Sequence, residues 1–222
     1  LADSFKQGEN IVKHKLTSFF LASRTLPPHK RKAIYAIYAF CRLCDDIVDN
    51  DNKKSEKKLR IDKIRSSLQS GSISADLDPI ILAINDVINV YKIPVAYFED
   101  LLLGMESDID FVKFNNFREL KLYCHRVASV VGLMCLNIFG YEDDICKELA
   151  IDLGIAMQLT NIIRDVKEDF ELNRVYLPKD DFKNAGHTYN DLENSTLNGN
   201  FNKLFQSQIS RAEEYFTKSK PL

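Results

Sequence analysis

Two short runs of acids stand at helical spacing. Asp45, Asp46 and Asp49 close the segment 35–49, and Gln158, Asn161, Asp165 and Asp169 follow one another at steps of three, four and four. Carboxylates one turn apart offer paired hard oxygen donors, which suit Mg²⁺ better than zinc. Arg42 lies one turn ahead of the first acids, Arg164 adjoins Asp165, and Arg174 follows Asp169. Acids accompanied by arginines point to a polyphosphate: a divalent cation bridges carboxylate to phosphate, and arginine takes the remaining oxygens in pairs.

A solvated face is the ordinary explanation for charges on a helix. In the first run, however, the stripe Tyr38, Arg42, Asp45, Asp46 and Asp49 is flanked on both sides. Ile34, Ile37, Cys41, Cys44 and Val48 lie on one flank, with Ala36, Ala39, Phe40, Leu43 and Ile47 on the other. The pattern predicts a buried helix with its acids aimed at a cavity, a costly arrangement unless cations neutralise them. The second stripe runs beside Ile155, Leu159, Ile162, Val166 and Phe170. Gly154, one turn ahead of it, leaves room either for a ligand or for a close-packed helix.

Other uses of these acids fail on spacing. A di-iron bundle needs Glu-x-x-His pairs, and none of His14, His29, His125 and His187 has Glu three residues before it. An EF-hand opening at Asp49 needs Gly and Glu where Lys54 and Arg60 stand. Cys41 and Cys44 form a CxxC with no second pair to complete a zinc site, and they fall in an apolar stripe that predicts buried neutral thiols. Five cysteines in a chain of this length do not read as a disulfide framework, which favours a reducing, cytoplasmic setting.

The elements that must position the acids are helices. Apolar residues recur at three and four throughout, with no sustained alternation. The pattern predicts helices over about 11–23, 29–50, 55–69, 78–90, 95–105, 116–139, 143–170 and 206–218. Breaks are expected at Gly71, Pro79, Pro94, Gly140 and Pro178, and loop at Gly186 and 194–202. With 222 residues, 45% hydrophobic and 28% charged, the chain reads as one all-α domain over 1–222 with an interior cavity. A net charge of −2 disfavours nucleic acid as a partner. The longest apolar stretch, 127–141, falls short of the roughly 20 residues of a membrane span, so any membrane contact is expected to be peripheral. The chain opens without Met and stops just after a helical pattern, so further residues are expected, chiefly beyond its C-terminal end.

Four segments carry a resemblance. The runs YAIYAFCRLCDDIVD (35–49) and QLTNIIRDVKEDFELNRVYLP (158–178) closely resemble the two aspartate-rich motifs of the squalene/phytoene synthase family. YCHRVASVVG (123–132) and TSFFLASRTLP (17–27) are similar to a third motif and to the family's substrate flap, in the family's order. The resemblance implies an all-helical isoprenoid-synthase bundle around a cavity. It also implies head-to-head condensation of two prenyl diphosphates through a cyclopropylcarbinyl diphosphate. By motif, Asp45, Asp49, Asn161, Asp165 and Asp169 would hold Mg²⁺, with Asp46 a weaker member. Tyr38, Arg42, Gln158, Arg164 and Arg174 would contact diphosphate, joined by Lys15, Thr17 and Ser18 in the flap. Tyr123 and Tyr176 would shape the cavity, orient phosphate or move a proton, or serve as core aromatics. Ile37, Val130, Leu133, Met134 and Met157 are among the expected apolar lining.

Within the family, VASVVG, NIFGY and GMESD slightly favour farnesyl diphosphate and a squalene-type product, with geranylgeranyl diphosphate and phytoene as the alternative. NADPH is an optional further cofactor, because the family binds it without a dinucleotide fingerprint. A chain-elongating prenyltransferase or terpene cyclase fits less well, since Asp165 is followed by Val166 rather than a second Asp. A family-derived assembly protein without catalysis would have no need to keep the five metal-site residues. Asn at Asp45 or Asp165 is expected to abolish turnover while leaving the metal-free protein at least as stable.

Overall fold

The computed structural model describes residues 4–6, 9, 23–50, 52–71, 78–194 and 198–222, and all regular structure among them is helical. The expected first helix, apart from Ser23, and the flap residues Lys15, Thr17 and Ser18 lie outside the described residues. The chain divides into two compact units, Leu1–Asp110 with Leu133–Glu142, and Phe111–Gly132 with Asp143–Leu222.

The first unit is built on α1 (Pro28–Asp49), α2 (Lys54–Ser70), α3 (Pro79–Tyr91) and α4 (Val95–Ile109). Prolines start these helices rather than merely interrupting the chain. Pro28 and Pro79 sit in first turns, where no N–H is missed, and Pro94 occupies the N-cap of α4. The Asp78 carboxylate accepts from the Ile80 N–H at 2.9 Å and fixes the start of α3. Gly71, with φ +59°, closes α2 in the left-handed conformation that glycine adopts without strain. α1 packs against α2, α3 and α4, and Phe40 meets Phe98 edge to face at 5.4 Å. Ten of the 22 residues of α1 are buried, most of them on the predicted flanks, whereas Tyr38, Arg42, Asp45, Asp46 and Asp49 form its open side, with Asp46 and Asp49 exposed rather than enclosed.

The second unit contains α5 (Phe117–Cys124), a π-helical turn at His125–Ser129, the start of α6 (Val130–Phe139), α7 (Ile145–Arg164), α8 (Val166–Glu171), α9 (Lys179–Ala185), α10 (Tyr189–Glu193) and α11 (Gly199–Ser219). α7 is central, packing against α11, α5 and the π turn. Its core joins Leu120, Ile155, Leu159 and Ile162 to an aromatic group around Tyr123 and Tyr176. Arg211 closes a bidentate pair on the buried Asp181 at 2.8 and 3.1 Å, and Gln208 Nε2 donates to the same carboxylate at 3.0 Å.

Several expectations change, and α9 (Lys179–Ala185) forms where no helix is predicted. The helix drawn over 143–170 is interrupted at Asp165, where φ −98° and ψ 10° end α7 before α8 begins. The 194–202 loop is shorter than expected, because Asn198 accepts from the N–H groups of Asn200 and Phe201 and so starts α11 at Gly199. Thr188 and Asp191 build a capping box that starts α10 in a stretch without helical periodicity. Finally, α5, the π turn and α6 form one continuous apolar helix, Phe117–Phe139, of 23 residues with a mean hydropathy of 1.5 over its best window. By length and composition it could cross a membrane, which corrects the shorter count from Val127. The core helix of a water-soluble protein meets the same criterion, and 44% of that window is buried in protein.

Candidate functional site

On α1 the acids differ in exposure. Asp46 and Asp49 are exposed, whereas Asp45 is half-buried between the buried Cys44 and Ile47. Burial raises the Asp45 carboxyl to about 7, with further upward contributions from the charges of Asp49, Asp46 and Asp108; Arg42 opposes them. Asp108 is a contributor that the sequence reading did not single out. It lies on α4 and is only 8% exposed. Its signal was an acid in register with the buried Leu101, Met105 and Ile109. Arg42 Nη2 pairs with Asp46 Oδ1 at 2.7 Å, one turn on, and its buried Nε has no hydrogen-bond partner among the described residues. Burial also raises the Tyr38 phenol.

The second stripe is held differently. Asn161 Nδ2 and Gln158 Oε1 stand 3.5 Å apart across one turn of α7. At the break, Arg164 donates two bonds of 2.6 Å to the two oxygens of Asp165. That bidentate contact draws the Asp165 carboxyl below its ordinary range. The stripe nevertheless survives the break, since Asp165 N–H donates to Asn161 O and Asp169 N–H donates to Asp165 O, both at 2.8 Å. Asp169, Arg174 and Tyr176 line one small pocket with Ile162, Val166, Val175, Leu177 and Leu192. The Tyr176 ring stacks on Tyr123 at 5.0 Å, and both tyrosines are 7% exposed.

The structure thus gathers Tyr38, Arg42, Asp45, Asp46 and Asp49 on α1. Within the second unit it groups Gln158 with Asn161, Arg164 with Asp165, and Asp169 with Arg174, Tyr176 and Tyr123. Lys15, Thr17 and Ser18 lie outside the described residues. Of the expected apolar lining, Ile37, Val130, Leu133 and Met134 are buried, while Met157 is 54% exposed. Gly154 is resolved in favour of close packing: a Cβ there would lie 2.4 Å from Ser129 Cα.

Among the described residues no three His, Cys, Asp or Glu side chains converge into a metal cluster. The donors fit Mg²⁺ all the same. They are oxygens throughout, and Asp45 is an incompletely compensated buried acid that a cation would relieve. Mg²⁺ characteristically takes one or two carboxylates and completes its shell with phosphate and water. The thiols are not competitors: burial pushes Cys44 beyond the range of a ligating thiolate, and Cys124 and Cys135 to about 12.

Comparison with known proteins agrees with this arrangement. The profile of the Squalene/phytoene synthase family matches residues 12–222. Phytoene synthase of Arthrospira platensis is 35% identical over 97% of this chain and 74% of its own length. Phytoene synthase of Mycobacterium tuberculosis is 37% identical over 84% of this chain and 61% of its own. Among solved structures, a dehydrosqualene synthase in complex with ligand superposes with a TM-score of 0.89 at 33% identity, over 98% of this chain and 76% of that one. With its profile matched almost throughout, its helices matched in space and both acid stripes in the family's order, the chain belongs to the squalene/phytoene synthase family of prenyltransferases.

Proposed function

We propose that the protein condenses two prenyl diphosphates head to head, with geranylgeranyl diphosphate as substrate and phytoene as product. The observation that carries the reading is that both acid stripes stand complete beside their arginines, in a chain 35–37% identical to proteins named phytoene synthase. Those names outweigh the slight preference of the sequence motifs for farnesyl diphosphate. The condensation of farnesyl diphosphate is kept as a second reading because of the 33% identity to a dehydrosqualene synthase.

In this reading Asp45, Asp49, Asn161, Asp165 and Asp169, with Asp46, hold Mg²⁺, which supplies positive charge to the departing diphosphate. Arg42, Arg164 and Arg174 bind the remaining phosphate oxygens in pairs and orient the leaving group. Gln158 donates to phosphate from the same face of α7. Tyr38 orients a phosphate oxygen from α1, and Lys15, Thr17 and Ser18 do so from the flap. Tyr123 and Tyr176 shape the cavity wall beside the allylic cation, and a hydroxyl of the pair relays the proton lost at the end to an oxygen of the departed diphosphate. Phytoene formation ends in proton loss and requires no hydride, so NADPH drops out of the reading. Because substrates and product are lipids, peripheral contact with a bilayer belongs to the proposal, checked by sedimentation with liposomes.

Incubation of the full-length protein with geranylgeranyl diphosphate and Mg²⁺ should yield a C40 hydrocarbon without added NADPH. A C30 product from farnesyl diphosphate, with none from the longer substrate, would favour the second reading. No condensation product from either substrate would overturn both.

A further inference from the structure

The most tightly enclosed of the described glycines of the second unit, Gly154, and its neighbour Ser129 are given no role by the functional reading. Where α7 crosses the π turn, a Cβ on Gly154 would lie 2.4 Å from Ser129 Cα, 2.6 Å from Ser129 N and 2.9 Å from Ser129 Oγ. Two of these atoms are backbone and cannot swing aside as a side-chain end can. One turn earlier on α7, Ile151 O accepts a 2.7 Å hydrogen bond from Ser129 Oγ, and Ser129 is fully buried. Farther along the same crossing, a Cβ on Gly132 would stand 3.2 Å from Ala150 O.

We propose that Ser129 and Gly154 are positioning residues, which hold α7 at one height and one rotation so that its donor stripe keeps a fixed place relative to Tyr123. The inference rests on the functional reading above. Sliding α7 by one residue moves it about 1.5 Å and breaks the Ser129–Ile151 bond. Turning it replaces the glycine face with one that carries a Cβ. Gln158, Asn161 and Asp165 lie four, seven and eleven residues beyond Gly154, on the same face. α7 runs unbroken to Arg164, so a displacement at the crossing is carried to Gln158 and Asn161, and to Asp165 through its N–H bond to Asn161 O. Tyr123 is six residues ahead of Ser129, and its partner Tyr176 shares a pocket with Asp169 and Arg174. Misplacing such groups by about 1 Å can cost on the order of 100-fold in rate.

The test is calorimetric titration of inorganic pyrophosphate into the full-length protein with Mg²⁺, alongside steady-state kinetics. Gly154→Ala should weaken pyrophosphate binding at least tenfold and lower kcat by on the order of 100-fold. Ser129→Ala, which removes the hydrogen bond without adding a clash, should do the same several-fold while the folded fraction and stoichiometry stay at parent values. It decides the matter if Gly154→Ala does not fold. A merely structural role would instead lower the stoichiometry and leave the Kd and KM of the folded fraction unchanged. That result in Ser129→Ala, or parent-like Kd and kcat in both variants, overturns the inference alone. A parent protein that binds no pyrophosphate with Mg²⁺ overturns the functional reading and this inference with it.

Discussion

The two acid stripes face the same difficulty, closely spaced carboxylates, and the pivotal acid of each meets it in the opposite way. On α1 the pivotal acid is withdrawn into the protein, and burial together with its acidic neighbours raises it to about 7. At the end of α7 the corresponding acid is grasped by the adjacent guanidinium and stays ionised. The charge of Asp45 is therefore sensitive to pH, since the arginine of its own stripe pairs with Asp46 instead, whereas that of Asp165 is sensitive to anions that compete for Arg164. Two stripes that look interchangeable in sequence therefore carry different electrostatics.

Catalysis is where the two should behave alike, and the expected effect there is largest. Asp45→Asn and Asp165→Asn should each slow product formation by several orders of magnitude, about 3–5 kcal/mol in barrier, in assays with Mg²⁺ and prenyl diphosphate. Near-normal turnover in either variant would make that stripe structural.

Stability should separate them. Because the folded Asp45 carboxyl sits near 7 against 3.8 for an ordinary aspartate, the native state binds its proton more tightly than the unfolded chain does. Its ionisation penalises folding fully above about 7, and the penalty disappears as pH falls below 3.8. Metal-free Asp45→Asn should therefore be more stable than the parent at pH 8, by on the order of 2 kcal/mol, and level with it near pH 4. Asp165 has the opposite sign, since its lowered carboxyl adds stability above the ordinary carboxylate range and loses it as pH falls through the lower folded value. Asp165→Asn should be slightly less stable than the parent at neutral pH, by at most about 1 kcal/mol because Arg164 is exposed and solvent screens the pair. For Asp165 this differs from the expectation that both variants would be at least as stable. Equal denaturant midpoints at pH 8 for the two variants would erase the contrast.

His187 offers a control with neither device. Its side chain is wholly buried, and neither ring nitrogen has a hydrogen-bond partner among the described residues. His187→Leu should stabilise the protein by about 1 kcal/mol with no effect on turnover, read from urea midpoints and a parallel assay. A loss of stability would show that the imidazole is satisfied by water in solution.

Much of α1 was legible because apolar residues on both flanks of the stripe leave one reading of the helix, and its buried residues follow those flanks. Gly71 and Gly140 were legible for a local reason, since both take left-handed φ values that other residues avoid. The break at Asp165 was not, because it leaves both the apolar period and the flanking backbone bonds in place. The Arg164–Asp165 pair depends on that break. Adjacent residues of an unbroken helix point about 100° apart and do not face each other. α10 and the start of α11 were missed because caps made by Thr188 and Asn198 decide them, not hydrophobic spacing. The second unit's donor groupings depend on contacts between distant parts of the chain, such as Tyr123 on Tyr176, which spacing alone does not encode.

The π turn at His125–Ser129 has a consequence for anyone who aligns or edits this helix. A π turn is an α-helix holding one residue more than its hydrogen bonding ordinarily takes, so it behaves as an insertion that hydropathy does not reveal. Deleting one residue there would relax the turn to ordinary α-helix and leave composition almost unchanged. The flanking faces would keep their places, Tyr123 on the Tyr176 ring included, whereas deleting a residue elsewhere between Tyr123 and Phe139 would turn everything upstream by about 100°. Gap placement within 125–129 is therefore a structural decision. An alignment that moves the gap by a few positions assigns the wrong face of α5 to the interior.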